Sequence, residues 1–283
     1  MSNLEKQTTF GLIFKKFLKS KPGIVGIIML LVLAILSIFY EFFSPNDPNK
    51  VDFDYIYVPP SKVYFFDKDN KFSLRPFVYK RTEEYDMETF ETVFKEDYNQ
   101  KIYLRFFENS WEYKLFNLIP SKLHLISLDD TSEKFLILGS DKLGRDVWAR
   151  ACLSGRISLT LSVLAVISSV FIGSFLGIVS GYYGGMVDWI IQRIVEIFTS
   201  LPALPLWIAL AALIPPDMDS LDVFMMMIFI FTLLGWTLTA REIRGKVMSF
   251  AKTDFINSAK EIGASDLRII FIHIYPNCMS HII

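Results

Sequence analysis

The sequence predicts an all-α polytopic membrane protein carrying one wet insert of mixed α+β structure. Three observations lead there. Of its 283 residues, 52% are hydrophobic and the mean hydropathy is positive, too apolar for an ordinary soluble domain. Four apolar stretches, about 22–43, 157–181, 188–214 and 223–240, are each long enough to cross a hydrocarbon core as helices. Between the first two, residues 44–138 turn polar and aromatic, dense in Tyr, Phe, Lys and Glu. A net charge of −1 leaves no electrostatic footprint for nucleic acid.

Residues 1–21 carry Lys6, Lys15, Lys16, Lys19 and Lys21 against Glu5, a cytoplasmic tail by the positive-inside rule. Residues 23–39 are unbroken apolar sequence, extended to Phe43 around Glu41. The following SIFYEFFSPND has no small-x-small cleavage site, so the segment reads as an uncleaved anchor, 22–43, with a cytoplasmic N-terminus. Residues 44–156 then lie outside, as an insert followed by an interfacial helix. Six prolines between Pro45 and Pro120 divide the insert into short pieces. KVYFFD and KIYLRFF read as strands, and EEYDMETFETVFKEDY, residues 83–98, as a helix. Enough aromatics are present for a folded extracytoplasmic domain. His124 has no neighbouring His or Cys and reads as structural. Cys152 and Cys278 fall on opposite sides of the membrane without ligand spacing, so neither a metal site nor a disulfide is expected.

Residues 138–159, LGSDKLGRDVWARACLSGRISL, read as a turn around Gly139 and Ser140, then an amphipathic helix with Leu143, Val147 and Ala151 inward. Arg145, Arg150 and Arg156 suit the water boundary, where long basic side chains snorkel. In the second span Gly173, Gly177 and Gly181 stand four apart and leave one helix face bare, a seam for close packing in lipid. YYGGM, 182–186, turns into the third span, where Arg193 and Glu196 pair at i, i+3. Pro202 and Pro205 break that span, and Thr199, Pro202 and Pro205 become candidates for pore-lining backbone. An acidic loop, 215–222, and a basic run from Arg241 onward complete four crossings, so 157–283 is the core and 241–283 a cytoplasmic loop.

That loop contains 254–277, DFINSAKEIGASDLRIIFIHIYPN, which reads as two short helices meeting at Gly263. Phe255, Ala259 and Ile262 share a face of the first; Leu267, Ile270, Phe271 and Ile274 repeat at helical spacing in the second. Gly263 can take φ > 0, Ser265 or Asp266 can cap the next helix, and Pro276 bars a simple continuation. Three readings compete: a hairpin packed into its own protein, a DNA-reading helix-turn-helix, or a docking loop for a soluble partner. The second fails on chemistry, because RIIFIHIY offers few groups to base edges.

The loop resembles the cytoplasmic EAA loop of ABC-importer permeases, matching it at Ala259, Gly263 and Pro276, with Ala264, Ser265 and Asp266 in the same turn; Asn257 and Ser258 depart from that family's Glu and first Ala. The 138–159 string resembles the signature of C-type permeases of bacterial ABC peptide importers at Gly139, Asp141, Gly144, Arg145, Asp146, Arg150, Gly155, Arg156, Ser158 and Leu159. With its long insert, QRIVEIFTSLPALPL and GWTLTAREIRGKV, the chain looks most like the oligopeptide/microcin-C subgroup. The resemblance implies a type I ABC importer permease fold with six membrane helices. Four are present, so the chain is expected to be an incomplete permease.

The resemblance further implies a transmembrane subunit of an ATP-driven peptide importer in the inner membrane. Its partners would be a related permease in a heterodimer, two cytoplasmic ATP-binding subunits, an extracytoplasmic peptide-binding protein and the bilayer. No cofactor is implied, since ATP belongs to the partner subunits. The chain itself has no phosphate loop: Gly245-Lys246 has Ala240 at the first glycine position and is followed by Val247. An ion-coupled secondary transporter, the alternative, would call for inverted repeats and midplane carboxylates, where this sequence has only Glu196. A membrane-tethered sensor would leave the glycine seam and the hairpin unexplained.

Overall fold

The computed structural model describes residues 17–85, 87, 92–116, 118–130 and 133–282; the tail lysines at 6, 15 and 16 lie outside them. The chain divides into two compact units, 1–159 and 160–283.

In the first unit, α1 (Lys21–Ile38) begins where the Ser20 side chain accepts a hydrogen bond from the Gly23 N–H, with Pro22 in the first turn. Only Ser37 is buried along it, as expected of a helix apolar all round that faces lipid. A short helix, α2 (Tyr40–Phe43), follows. The insert then forms one antiparallel sheet in the order β1 (Tyr64–Phe66), β2 (Phe72–Tyr85), β3 (Thr92–Leu115), β4 (Ile119–Leu128). Val78, Ile102, Leu104, Leu128 and Phe135 make its core.

Of the helix expected over 83–98, residues 83–85 and 92–98 are strand instead, while 86 and 88–91 lie outside the described residues. Glu83, Glu84 and Tyr85 pair with Phe94, Val93 and Thr92 as the ends of β2 and β3. The acids read as helix-forming serve across strands instead: Lys95 pairs with Glu84, and the Tyr64 hydroxyl donates to Glu96 at 2.7 Å. β-branched and aromatic residues on a half-buried surface outweigh that local signal. Helical structure in the described part of the insert is thus one 3₁₀ turn, Phe53–Tyr55, rather than the mixed α+β content expected.

The interfacial helix and the second span are one helix, α3 (Val147–Tyr183), because nothing between them breaks it. Leu143 sits in the turn before it, and Ala151 is exposed while Ala149 and Cys152 are buried, so the inward face differs from the one expected.

In the second unit, α4 (Gly185–Ser200) and α5 (Ala203–Ala212) meet at an 85° bend. Leu201 there is extended (φ −86°, ψ 137°), the conformation a following proline imposes. The last long helix, α6 (Ser220–Phe250), runs well beyond the expected end at 240, since REIRGKVMSF holds no proline and a single glycine does not stop it. Among the described residues, α1, α3 and α6 are long and apolar enough to cross a membrane, and α4–α5 makes a fourth if counted as one span.

Within this unit α6 crosses the glycine face of α3. A Cβ added at Gly173, Gly177 or Gly181 would lie 2.6, 2.7 or 2.8 Å from the carbonyl oxygens of Trp236, Ala240 and Arg244. Both series step by four residues, so the two backbones run side by side for two turns. Ile191 and Val195 of α4 pack with Trp236 and Ala240 alongside.

Candidate functional site

Beyond α6 the chain turns through α7 (Asp254–Glu261) and α8 (Asp266–Arg268). A π-helical stretch, Ile269–Ile274, leads on into α9 (Tyr275–Ile282). The turn between α7 and α8 is a Schellman motif: Gly263 N–H donates to Lys260 O at 2.9 Å and Ala264 N–H to Ala259 O at 3.0 Å. Gly263 sits at φ +86° with open space where a Cβ would be, so backbone conformation and not crowding selects glycine. The Ser265 hydroxyl oxygen then accepts from Arg268 N–H and opens the next helix.

Pro276 does not end that helix; it lies in the first turn of α9. The π turn just before it widens the backbone, with Tyr275 N–H donating to Ile270 O, five residues back. The same widening changes which residues face inward. Ile269 and Ile274 would stand about 140° apart on an α-helix at 100° per residue, yet both are fully buried here with Ile270. Leu267 and Phe271, expected inward, are 65% and 61% exposed. In α7 the buried residue is Ile256, while Phe255 and Ile262 face out at 46% and 87%.

The inward residues join one apolar cluster: Ile178 and Tyr182 of α3, Ile243, Val247 and Phe250 of α6, and Ile256, Ala259, Ala264, Ile269, Ile270, Ile274 and Cys278 of the hairpin. Ala259 and Ala264 are thus brought together. Asp266 accepts a 2.7 Å hydrogen bond from the Tyr182 hydroxyl, and the Lys260 ammonium stands 5.0 Å over the Tyr182 ring. One turn earlier a polar knot joins α3, α4 and α6. Arg244 donates to both oxygens of Asp188 at 2.6 Å, the Ser180 hydroxyl donates to Asp188, and Gln192 donates to Ser180 at 3.1 Å. Tyr182, Lys260, Asp188 and Arg244 escaped the sequence reading. The one local signal is Asp188, a lone acid at the apolar start of α4; Arg244 sits among Arg241, Glu242 and Lys246 and is not set apart by its sequence.

The other predicted residues lie apart. Thr199 donates to Val195 O and accepts from Arg241 at 2.9 Å each; Pro202 caps α5 at the bend, and Pro205 is exposed in its first turn. Arg193 and Glu196 pair at 2.8 Å on an exposed face.

In the first unit the 139–156 signature folds against residues 52–61. Gly139 and Gly144 take φ of +82° and +68°, and a side chain at either would run into the carbonyls of Val58 and Asp52. Asp141 accepts from the N–H groups of Leu143 and Arg145 and from Arg145 Nε, all within 3.0 Å. Partial burial opposes its ionisation, but these donors prevail and hold its pKa at about 2. Asp146 caps α3 through Trp148 and Ala149 N–H, and burial raises its pKa despite the 2.8 Å bond from Asn46. Arg156 does not snorkel. Its guanidinium forks onto Glu41 at 2.7 Å twice, donates to Ser37 O and Ile38 O, and lies 4.3 Å over the Tyr40 ring. His124 is buried with a backbone carbonyl at 2.9 Å from each ring nitrogen, a structural setting.

Two family models match the chain. Residues 173–283 match the binding-protein-dependent transport system inner membrane component, and residues 8–60 the N-terminal TM domain of oligopeptide transport permease C. The oligopeptide transport system permease protein OppC of Bacillus subtilis (strain 168) is 32% identical over 163 residues, 58% of this chain and 52% of its own. The dipeptide transport system permease protein DppC of the same organism is 37% identical over 145 residues, 51% of this chain and 43% of its own. The glutathione transport system permease protein GsiD of Pectobacterium atrosepticum is 34% identical over 176 residues, 62% of this chain and 52% of its own. The chain spans about half the length of the curated relatives it matches.

Proposed function

From its place in the family of ABC peptide-importer permeases, we propose that this chain is a transmembrane subunit of an ATP-driven importer of peptides or peptide-like substrates. It forms half of the translocation pathway with a related permease, receives substrate from an extracytoplasmic binding protein, and is driven by two cytoplasmic ATP-binding subunits. Its N-terminus and the 254–277 hairpin face the cytoplasm, and the sheet faces outward. The backbone near Thr199, Pro202 and Pro205 lines the pathway.

The observation that carries this reading is the hairpin itself. Its inner face is fused by one apolar cluster to the ends of α3 and α6, while Phe255, Ile262, Leu267 and Phe271 are left facing out. A partner that grips the outer face and closes on ATP therefore moves two long helices with it, as one body. The Schellman turn at Gly263 sets the angle of the grip.

Co-purification from cells co-expressing the partner subunits tests the proposal. The unaltered chain should retain the ATPase, and Gly263→Pro should lose it. Uptake that survives ATP depletion but collapses with an uncoupler would instead establish the ion-coupled carrier.

A further inference from the structure

The β3–β4 hairpin ends in LFNLIP, residues 115–120, five of them apolar. Leu115 pairs with Ile119 across the turn, Leu118 N–H donates to Leu115 O at 3.0 Å, and Phe116 sits at φ +53°. Phe116, Leu118 and Ile119 are 52%, 80% and 60% exposed. Exposure alone does not single out this tip, since Phe72 and Leu74 of β2 are 62% and 85% exposed as well.

Its position relative to α1 says what covers it. The Phe116 ring lies 6.1 Å from that of Phe39, the residue that ends α1. Eighteen residues of α1 span about 27 Å at 1.5 Å each, against a hydrocarbon core of about 30 Å. With Lys19 and Lys21 at one interface, Phe39 therefore lies at the edge of the apolar core on the other side, and Phe116 beside it. Ile35 and Ile38, 48% and 42% exposed, carry the lipid-facing surface of α1 up to this contact. The Arg156 guanidinium, held by Glu41, stands 4.3 Å over Tyr40 and 5.7 Å over Phe116, the mixture of basic and aromatic groups typical of a membrane boundary.

The depth is also fixed. Below the tip the sheet is bound to the α2 segment: His124 contacts Glu41 O at 2.9 Å, Trp111 Nε1 donates to Ser44 O at 3.2 Å, and the Phe107 ring lies 6.1 Å from Phe42. A hairpin held this way cannot lift away from the plane where α1 leaves the bilayer.

We infer that the Phe116–Leu118–Ile119 tip is a lipid anchor, inserted in the interfacial region of the leaflet where α1 emerges, and that it holds the insert at a set height on the membrane. The inference needs only that α1 crosses the bilayer. It holds whichever side the sheet faces, so its failure would leave the importer reading standing.

The test places a nitroxide at Leu118→Cys, and separately at Ile119→Cys, in the full chain with Cys152→Ser and Cys278→Ser. The chain is reconstituted in liposomes of phosphatidylcholine and phosphatidylglycerol, with a Leu74→Cys label, on an 85% exposed site of β2, as the reference. Power saturation should show oxygen reaching the tip labels at least about five-fold better, relative to a neutral nickel chelate, than it reaches the reference. Apolar faces at such a boundary sit about 5–10 Å into the leaflet. Nickel access equal to that at Leu74 would overturn the anchor. So would shielding from both reagents, since a protein surface would then cover the tip.

Discussion

Arg244 reaches both oxygens of Asp188 at 2.6 Å, and so locks the start of α4 to the last third of α6. The pair is neither deeply buried nor free, with side chains 30% and 17% exposed. Removing one partner leaves the other charge at a helix end with only Ser180 or water to meet it. Arg244→Gln or Asp188→Asn alone should therefore lower stability by about 1–3 kcal/mol, less than the full cost of orphaning a buried charge. The double variant should recover part of that loss. Thermal unfolding of the purified chain in detergent measures both, and strictly additive losses would mean the two residues do not act as a unit.

Gly177 and Gly245 should respond to alanine with opposite signs. At Gly177 the new methyl would meet Ala240 O at 2.7 Å and Ile243 Cβ at 3.0 Å, so two helices must separate, at about 1–3 kcal/mol. At Gly245, within α6, it would meet nothing within 4 Å, and the better helix former should add up to about 1 kcal/mol. Melting temperatures of the two variants in the same detergent decide it. Equal responses would mean that the contact across α3 and α6 does not hold in solution.

These two sites also mark what could be read from text alone. A glycine repeat is local, so the bare face of α3 was visible in the letters; what it packs on, Trp236 to Arg244, was not. Gly263 and Ser265 announce a helix break because their conformational needs are their own. The inward face of 267–274 does not follow a period of 3.6, because the backbone takes a π turn there, which brings Ile269 into line with Ile274. The strand at 92–98 is not legible locally, because it depends on pairing with residues 80–85, which short-range propensity does not encode. Glu41 and Arg156 lie 115 residues apart, and no local pattern could join them.

Arg156→Lys should not be a conservative change. The guanidinium serves two carboxylate oxygens and two backbone carbonyls at once, and a lysine ammonium has neither the fork nor the reach. Glu41, 3% exposed, would be left with part of its charge unmet. The expected cost is about 2–4 kcal/mol, toward the lower end because Arg156 keeps some solvent contact. Glu41→Gln in the same background should restore stability relative to Arg156→Lys alone, read by thermal unfolding.

Acid should loosen the 139–156 signature between about pH 4 and pH 2. Asp141 ordinarily titrates at 3.8 and is held here at about 2, so its ionised form favours the folded turn. A depressed folded pKa contributes stability that is complete above the unfolded value and is lost as pH falls through the folded one. Asp146 has the opposite sign, since burial raises its pKa and protonation removes the cost of keeping a charge there. Hydrogen exchange of a peptide covering 139–148, corrected for intrinsic rates, should lose protection over that window. Asp141→Asn should flatten the loss while lowering protection at neutral pH; an unchanged slope would assign the transition to other carboxylates.

The outward face of the hairpin should govern partner binding without governing the fold. Ile262, 87% exposed at the C-cap of α7, makes no part of the apolar cluster, whereas Ile256, six residues earlier, is fully buried within it. Ile262→Asp places a charge where the proposed ATP-binding subunit would lay apolar surface, and such a loss at the centre of a small interface is worth about 2 kcal/mol or more. Co-purified ATPase should fall at least about ten-fold while the melting temperature of the chain stays within the error of the unaltered protein. Ile256→Ala should do the reverse, costing about 2–4 kcal/mol of stability through the cavity it leaves, with any loss of ATPase following from the damaged fold. Full retention of the ATPase by Ile262→Asp would move the docking surface away from this face.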